Sequence, residues 1–172
     1  MVCPFLPTIT CSPRETQRFC VTAQYSPLDQ VKDKEVIANG YLMRVNNTGQ
    51  DEDGNIYSSD DISPLCAGKA IKDGNKTSTL IVGPCNTNIA VARVKSNYWV
   101  VAYDENDGHA LIASGQPNFP TSNGLCTYSD PFSGMWILAR SLDQPSAQKY
   151  VEIAVNKGID PSESVFVNHD NC

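Results

Sequence analysis

Apolar positions recur with a period of two along most of this chain. In FCVTAQYS (19–26), Val21, Ala23 and Tyr25 alternate with Thr22, Gln24 and Ser26, the signature of a half-buried β-strand. GYLMRVNN (40–47) repeats the pattern, with Tyr41, Met43 and Val45 on one face. AGKAIK (67–72) and TSTLIVG (77–83) read as a hairpin around Asp73, Gly74 and Asn75, and NIAVARV (88–94) as a further strand. In NYWVVAYDENDGHALIAS (97–114), two apolar runs flank a turn of Asp, Asn and Gly, residues that tolerate left-handed backbone or bond their own main chain. Both runs are apolar on both faces. A sheet closed into a barrel produces that pattern, with one face enclosed and the other covered from outside. A loop rich in Pro, Gly, Ser and Asn (116–134) then leads to a last strand, MWILARS.

The period changes once, near the end. Ala147, Tyr150, Val151, Ala154 and Val155 recur at helical spacing and form one apolar stripe. Asp143 is placed to cap this helix, Pro145 fits its first turn, and Lys157 and Gly158 mark its end. One amphipathic helix after a run of strands needs a surface to lie on, and the outside of a barrel provides it. The fold class is therefore mostly β, an antiparallel up-and-down barrel with one C-terminal helix packed outside. No repeat or linker divides the chain, so residues 1–172 read as one domain.

Charge and composition narrow the function. The net charge of −6 gives no footprint for nucleic acid or an anionic membrane surface. No apolar run approaches the roughly 20 residues of a transmembrane helix. The start, MVCPFLPTIT, lacks a basic region and is broken by Pro4 and Pro7, so it does not read as a secretory signal. Seven cysteines are scattered without a CxxC pair or a spaced histidine partner. That pattern argues against a zinc site and for disulfides in an oxidising, extracellular compartment, with one thiol left over. Cys66 and Cys85 flank the predicted hairpin and are natural partners. Sequons at Asn46 and Asn75, in turn-like surroundings, agree with secretion. His109 and His169 read as surface histidines, and the acidic run over 51–61 as a solvated loop without the EF-hand pattern. No nucleophile elbow, phosphate loop or dinucleotide fingerprint is present, so the chain does not read as an enzyme.

Several segments, taken together, resemble the lipocalin family, most closely its apolipoprotein D and bilin-binding group. MWILARS, a helix, and then GIDPSESVFVNHDNC are similar to a lipocalin's carboxy-terminal third. YWVVAYDENDGHALI resembles the family's second motif, a Thr-Asp-Tyr turn. Asp104 takes the Asp place there, with Tyr103 and Glu105 replacing its neighbours. FCVTAQYS resembles the second strand, which opens with a disulfide cysteine. The likeness runs from Phe19 to Cys172 with inserts. The family's first motif, Gly-x-Trp, is missing. Either PFLPTIT replaces that strand or the closed end of the barrel is built differently.

The resemblance implies an eight-stranded barrel around a cup for a small hydrophobic ligand: a lipid, bilin, carotenoid or similar pigment. No cofactor is implied with certainty, and homo-oligomerisation is left open. Alternation nominates Tyr25, Tyr41, Met43, Tyr98, Val100, Trp136 and Leu138 as inward-facing. The resemblance supports Tyr25 and Trp136 in particular, whereas Trp99 falls on the opposite face, beneath the helix. It also implies that Cys20 pairs with Cys172, and Cys126 with Cys11 or Cys3. Arg140 would cap the closed end by stacking on an aromatic ring, for which Phe5 is the candidate, and by bonding carbonyls. Two other readings remain: a protein that works through its surface loops, and an isomerase using a free cysteine inside the cup.

Overall fold

A computed structural model describes residues 19–70, 78–90, 95–129, 133–140 and 144–162, together with Ser164, Val167 and His169. Strand β1 (Phe19–Pro27) leads through the short helix α1 (Lys34–Ala38) to β2 (Tyr41–Gln50). Next come β3 (Ile56–Ser58), a single helical turn α2 (Ser59–Ile62), β4 (Leu65–Lys69) and β5 (Thr79–Pro84). The quoted hairpin is β6 (Tyr98–Asp104) and β7 (His109–Ala113). The long loop holds a two-residue pair, β8 (Phe119–Pro120) and β9 (Cys126–Thr127), before β10 (Met135–Ala139) and helix α3 (Gln144–Asn156).

Eight strands form one antiparallel sheet in the order β1-β2-β4-β5-β6-β7-β10, with β3 added alongside β2. The sheet curls into a half-barrel. The Tyr25 and Tyr98 hydroxyls meet at 2.8 Å across its hollow, although three strands separate β1 from β6 in the sheet. Among the described residues β1 and β10 share no ladder.

The helix covers the outer face as its apolar stripe requires. Ala147, Tyr150, Val151 and Ala154 pack on Leu111, Ala113, Met135 and Ile137, alternate residues of β7 and β10. Val155, the last member of the stripe, stays 39% exposed. Trp99 lies opposite Ala113 and packs against this cluster, beneath the helix as its alternation predicts. A second cluster, of Leu28, Tyr41, Cys66, Ile81 and Ile89, joins α1 to the outer face of β2, β4 and β5. The backbone there approaches so closely that a Cβ on Gly68 would sit 2.5 Å from the Gly40 carbonyl. Cys66 and Cys85 are joined by a disulfide.

Several expectations are corrected. Asn88 to Ala90 do not continue a strand: the amides of Ile89 and Ala90 both donate to the Asn39 carbonyl, folding the chain back on α1. The remainder of NIAVARV (91–94) lies outside the described residues, as do Asp73, Gly74 and Asn75 at the predicted hairpin tip. Asn46 sits within β2 rather than in a turn, its side-chain oxygen accepting from the Ser58 hydroxyl at 2.9 Å. Cys126, expected to pair with Cys11 or Cys3, carries a free thiol. Its strand is held by the backbone instead, through Cys126 N to Gly158 O and Asp160 N to Cys126 O, both 2.9 Å. Cys20 is disulfide-bonded, while its expected partner Cys172 lies outside the described residues. His109 is 1% exposed rather than a surface group, because α3 closes over it and the Tyr150 ring stacks on its imidazole at 5.6 Å.

Candidate functional site

The hollow of the half-barrel holds a cavity of about 660 Å³, within the range of small-molecule sites. Its wall is built by alternation. Val21, Ala23 and Tyr25 come from β1 and Met43 from β2. Leu80 of β5, Tyr98 and Val100 of β6, Ala110 and Ile112 of β7, and Leu138 of β10 complete the apolar surface. The tail after the helix contributes Val167 and His169. Most of these wall residues alternate with those given to the helix side, although Ile137 and His109, which pack under the helix, also border the cavity.

Two β-bulges decide which residues face inward, and period-two counting cannot see them. In β2 the register against β4 shifts between Tyr41, opposite Gly68, and Met43, opposite Ala67. Met43 therefore lines the cavity, while Tyr41 turns to the outer cluster, 1% exposed, and donates its hydroxyl to the Pro84 carbonyl at 2.9 Å. In β6 the register against β7 shifts between Val100 and Ala102. The shift brings Tyr103, opposite Ala110, back to the cavity side.

Of the seven residues nominated from sequence, Tyr25, Met43, Tyr98, Val100 and Leu138 are brought together around this cavity. Tyr41 is not among them. Trp136 shares the face of Leu138 and lies directly opposite the wall residue Ile112, but it is not itself a lining residue. Leu80, Ala110, Ile112, Tyr103 and the tail residues were missed. Ala110 and Ile112 are legible in principle, because they alternate with Leu111 and Ala113, but the run is apolar on both faces and period two alone does not say which face is inward.

Polar groups are few and placed. The Tyr25–Tyr98 hydroxyl pair is the main one on the wall. Tyr25 keeps 39% of its surface open, but that surface faces the hollow and its hydroxyl is enclosed by protein. Burial pushes both phenols up, Tyr98 to about 12 and Tyr25 further, because the phenolate would be desolvated beside another phenol. At one end of the cavity the Arg140 guanidinium donates to the Tyr103 hydroxyl at 3.3 Å. The Arg140 stem lies over Gly108, whose φ of +67° closes the β6–β7 turn and whose missing Cβ leaves it room. The expected stacking partner, Phe5, lies outside the described residues. Asp104 stabilises the same turn, its side chain accepting from the Asn106 amide at 2.9 Å. The free thiol of Cys126 is not on the cavity wall. Among the described residues no cluster of His, Cys, Asp and Glu could hold a metal ion, and no helix is long and apolar enough to cross a membrane.

No family model and no curated protein matches the chain. Among solved structures, apocrustacyanin C2 aligns over 93% of this chain and 72% of its own, with 16% identity and a TM-score of 0.53. Lobster apocrustacyanin A1 aligns over the same shares with 16% identity and a TM-score of 0.54. Apocrustacyanin C1 covers 94% of this chain and 73% of its own, with 15% identity and a TM-score of 0.51. The crustacyanin apoproteins are lipocalins, and likeness at this identity is a likeness of fold. The curled antiparallel sheet with its single C-terminal helix is the lipocalin fold.

Proposed function

We propose that this chain is a binding protein that carries a small hydrophobic molecule, a lipid or a pigment such as a bilin or carotenoid, in the hollow of its half-barrel, and that it does so outside the cell. One observation carries the reading: a cavity of about 660 Å³ whose wall is mostly aliphatic and aromatic, with a few fixed hydroxyls. Apolar ligand surface buried there contributes roughly 25 cal/mol per Å², and the tyrosine hydroxyls orient the ligand's polar atoms. The solved structures of similar fold are apoproteins, chains that ordinarily carry a bound group. An isomerase reading needs a thiol in the cup, and Cys126 lies elsewhere.

The test is a fluorescence titration of the protein with a panel of lipophiles: a bilin, a carotenoid, a retinoid, a steroid and a fatty acid. The proposal expects saturable quenching or enhancement by at least one. It also expects that filling the hollow with Ala23→Phe weakens that binding while the protein stays folded. Saturable binding that Ala23→Phe leaves unchanged would place the ligand somewhere other than the cavity.

A further inference from the structure

Resting on the extracellular part of the reading above, we propose that Asn46 carries an N-linked glycan, seated on the outer face of β1 and β2. The sequon Asn46-Asn47-Thr48 lies in the middle of a strand, so register decides which of its side chains meets solvent. Asn46 pairs with Gln24, between the wall residues Ala23 and Tyr25, and so projects to the face away from the cavity. Asn47 pairs with Ala23 and is 5% exposed. The row around Asn46 is polar on both strands, with Thr22, Gln24 and Ser26 on β1 facing Thr48, Asn46 and Arg44 on β2. Neither hydrophobic cluster includes a member of this row, so no helix packs its apolar face there among the described residues.

The Asn46 carboxamide is divided between protein and solvent. Its Oδ1 accepts from the Ser58 hydroxyl at 2.9 Å and from the Ser59 hydroxyl at 3.3 Å. Ser59 Oγ itself accepts from the Asn47 backbone amide at 3.0 Å, which leaves its proton for Asn46 and fixes which way the carboxamide points. Nδ2 makes no hydrogen bond with the described residues and is open to solvent. The Thr48 hydroxyl that completes the sequon lies on the same face and meets the Thr22 hydroxyl at 2.7 Å. In the transfer, Nδ2 forms a bond to the anomeric carbon of an oligosaccharide carried on a polyprenyl pyrophosphate. The carbon–oxygen bond to the pyrophosphate breaks, that group leaves with the electron pair, and Nδ2 gives up one proton. In the folded product Oδ1 keeps both serines and the sugar extends from Nδ2 into solvent, as a bulky, hydrated group requires.

The test uses one tryptic peptide. Cleavage after Arg44 and Lys69 releases residues 45–69, which hold this sequon alone and also Cys66. Protein taken from its source is alkylated with one label, reduced, alkylated with a second, digested and measured by glycopeptide mass spectrometry. The proposal expects most of this peptide to carry an oligosaccharide joined through N-acetylhexosamine to Asn46, with the second label on Cys66, as its disulfide to Cys85 requires. A second-label Cys66 on a peptide whose Asn46 is bare overturns the glycan and leaves the extracellular reading standing. A first-label Cys66 with a bare Asn46 shows a reducing compartment, and the extracellular reading falls with this proposal. Enzymatic removal of the glycan from the folded protein should leave lipophile affinity unchanged, because Asn46 faces away from the cavity wall. Affinity lost with the glycan would overturn its placement on the outer face.

Discussion

Ile137 and Leu138 are neighbours on β10 and differ in what lies above them. The Ile137 side chain is fully buried beneath the helix among Leu111, Ala147, Tyr150 and Val151. Leu138 is half-buried and forms part of the cavity wall. Ile137→Ala removes three carbon atoms' worth of apolar contact, about 2.4 kcal/mol at roughly 0.8 kcal/mol per methylene. It also leaves a sealed void between sheet and helix, bringing the total to about 3–4 kcal/mol. Leu138→Ala removes the same volume from a surface that is already open, so no sealed void forms and the cost is about 1 kcal/mol. With a urea dependence of about 2 kcal/mol/M, the unfolding midpoint falls by roughly 1.5–2 M in the first variant and about 0.5 M in the second. Ligand affinity should move the other way: both residues border the cavity, but the Ile137 side chain is buried beneath the helix, so Leu138→Ala should weaken lipophile binding more than Ile137→Ala does in the folded protein. Equal midpoints, or a larger shift for Leu138→Ala, would refute the assignment of faces along β10 and with it the wall of the cavity.

Three further outcomes follow from the same geometry. Trp99→Phe should lower stability with little effect on affinity, because Trp99 packs under the helix and donates its indole N–H to the Ser96 hydroxyl at 2.6 Å; Trp136→Phe, off the cavity wall but opposite the wall residue Ile112, should reduce the ligand-induced fluorescence change, read by titration. Because burial raises the Tyr25 and Tyr98 phenols above 10.0 in the folded state, their contribution to stability is fully present below pH 10.0 and is lost as pH climbs towards 12, where the unfolded chain ionises first; Tyr98→Phe should flatten that loss in urea melts across the range. Breaking the Cys66–Cys85 bridge by Cys66→Ala with Cys85→Ala, a loop of sequence separation 19, should cost about 3 kcal/mol, while alkylation of the native protein without reductant should modify Cys126, as peptide mapping will show.

Much of the fold is legible because two periodicities dominate it. The alternation in FCVTAQYS and MWILARS and the stripe from Ala147 to Ala154 report which faces are covered, and covered faces leave a strong compositional trace. What escapes is local and geometric. The bulges near Leu42 and Val101 each insert one residue into a ladder, and that single step sends Tyr41 outward and Tyr103 inward. NIAVARV carries a strand's composition, yet the Asn39 carbonyl captures two of its amides. His109 is buried by a helix that begins 35 residues later (144 − 109 = 35), and no nearby residue announces it. The cavity wall was readable in its aromatic members, Tyr25 and Tyr98. Ala110 and Ile112, and the Arg140–Tyr103 contact, depend on how strands distant in sequence curl around one hollow.

The central claim is that the hollow of the half-barrel holds a ligand. Native mass spectrometry of the protein, purified from its source without solvent extraction, tests this most directly. The account predicts a one-to-one adduct of a small lipophile, released on denaturation, restored by adding the extract back, and displaced by Ala23→Phe. Bare chain alone from the source, unable to take up the extracted lipids when they are returned, would contradict it.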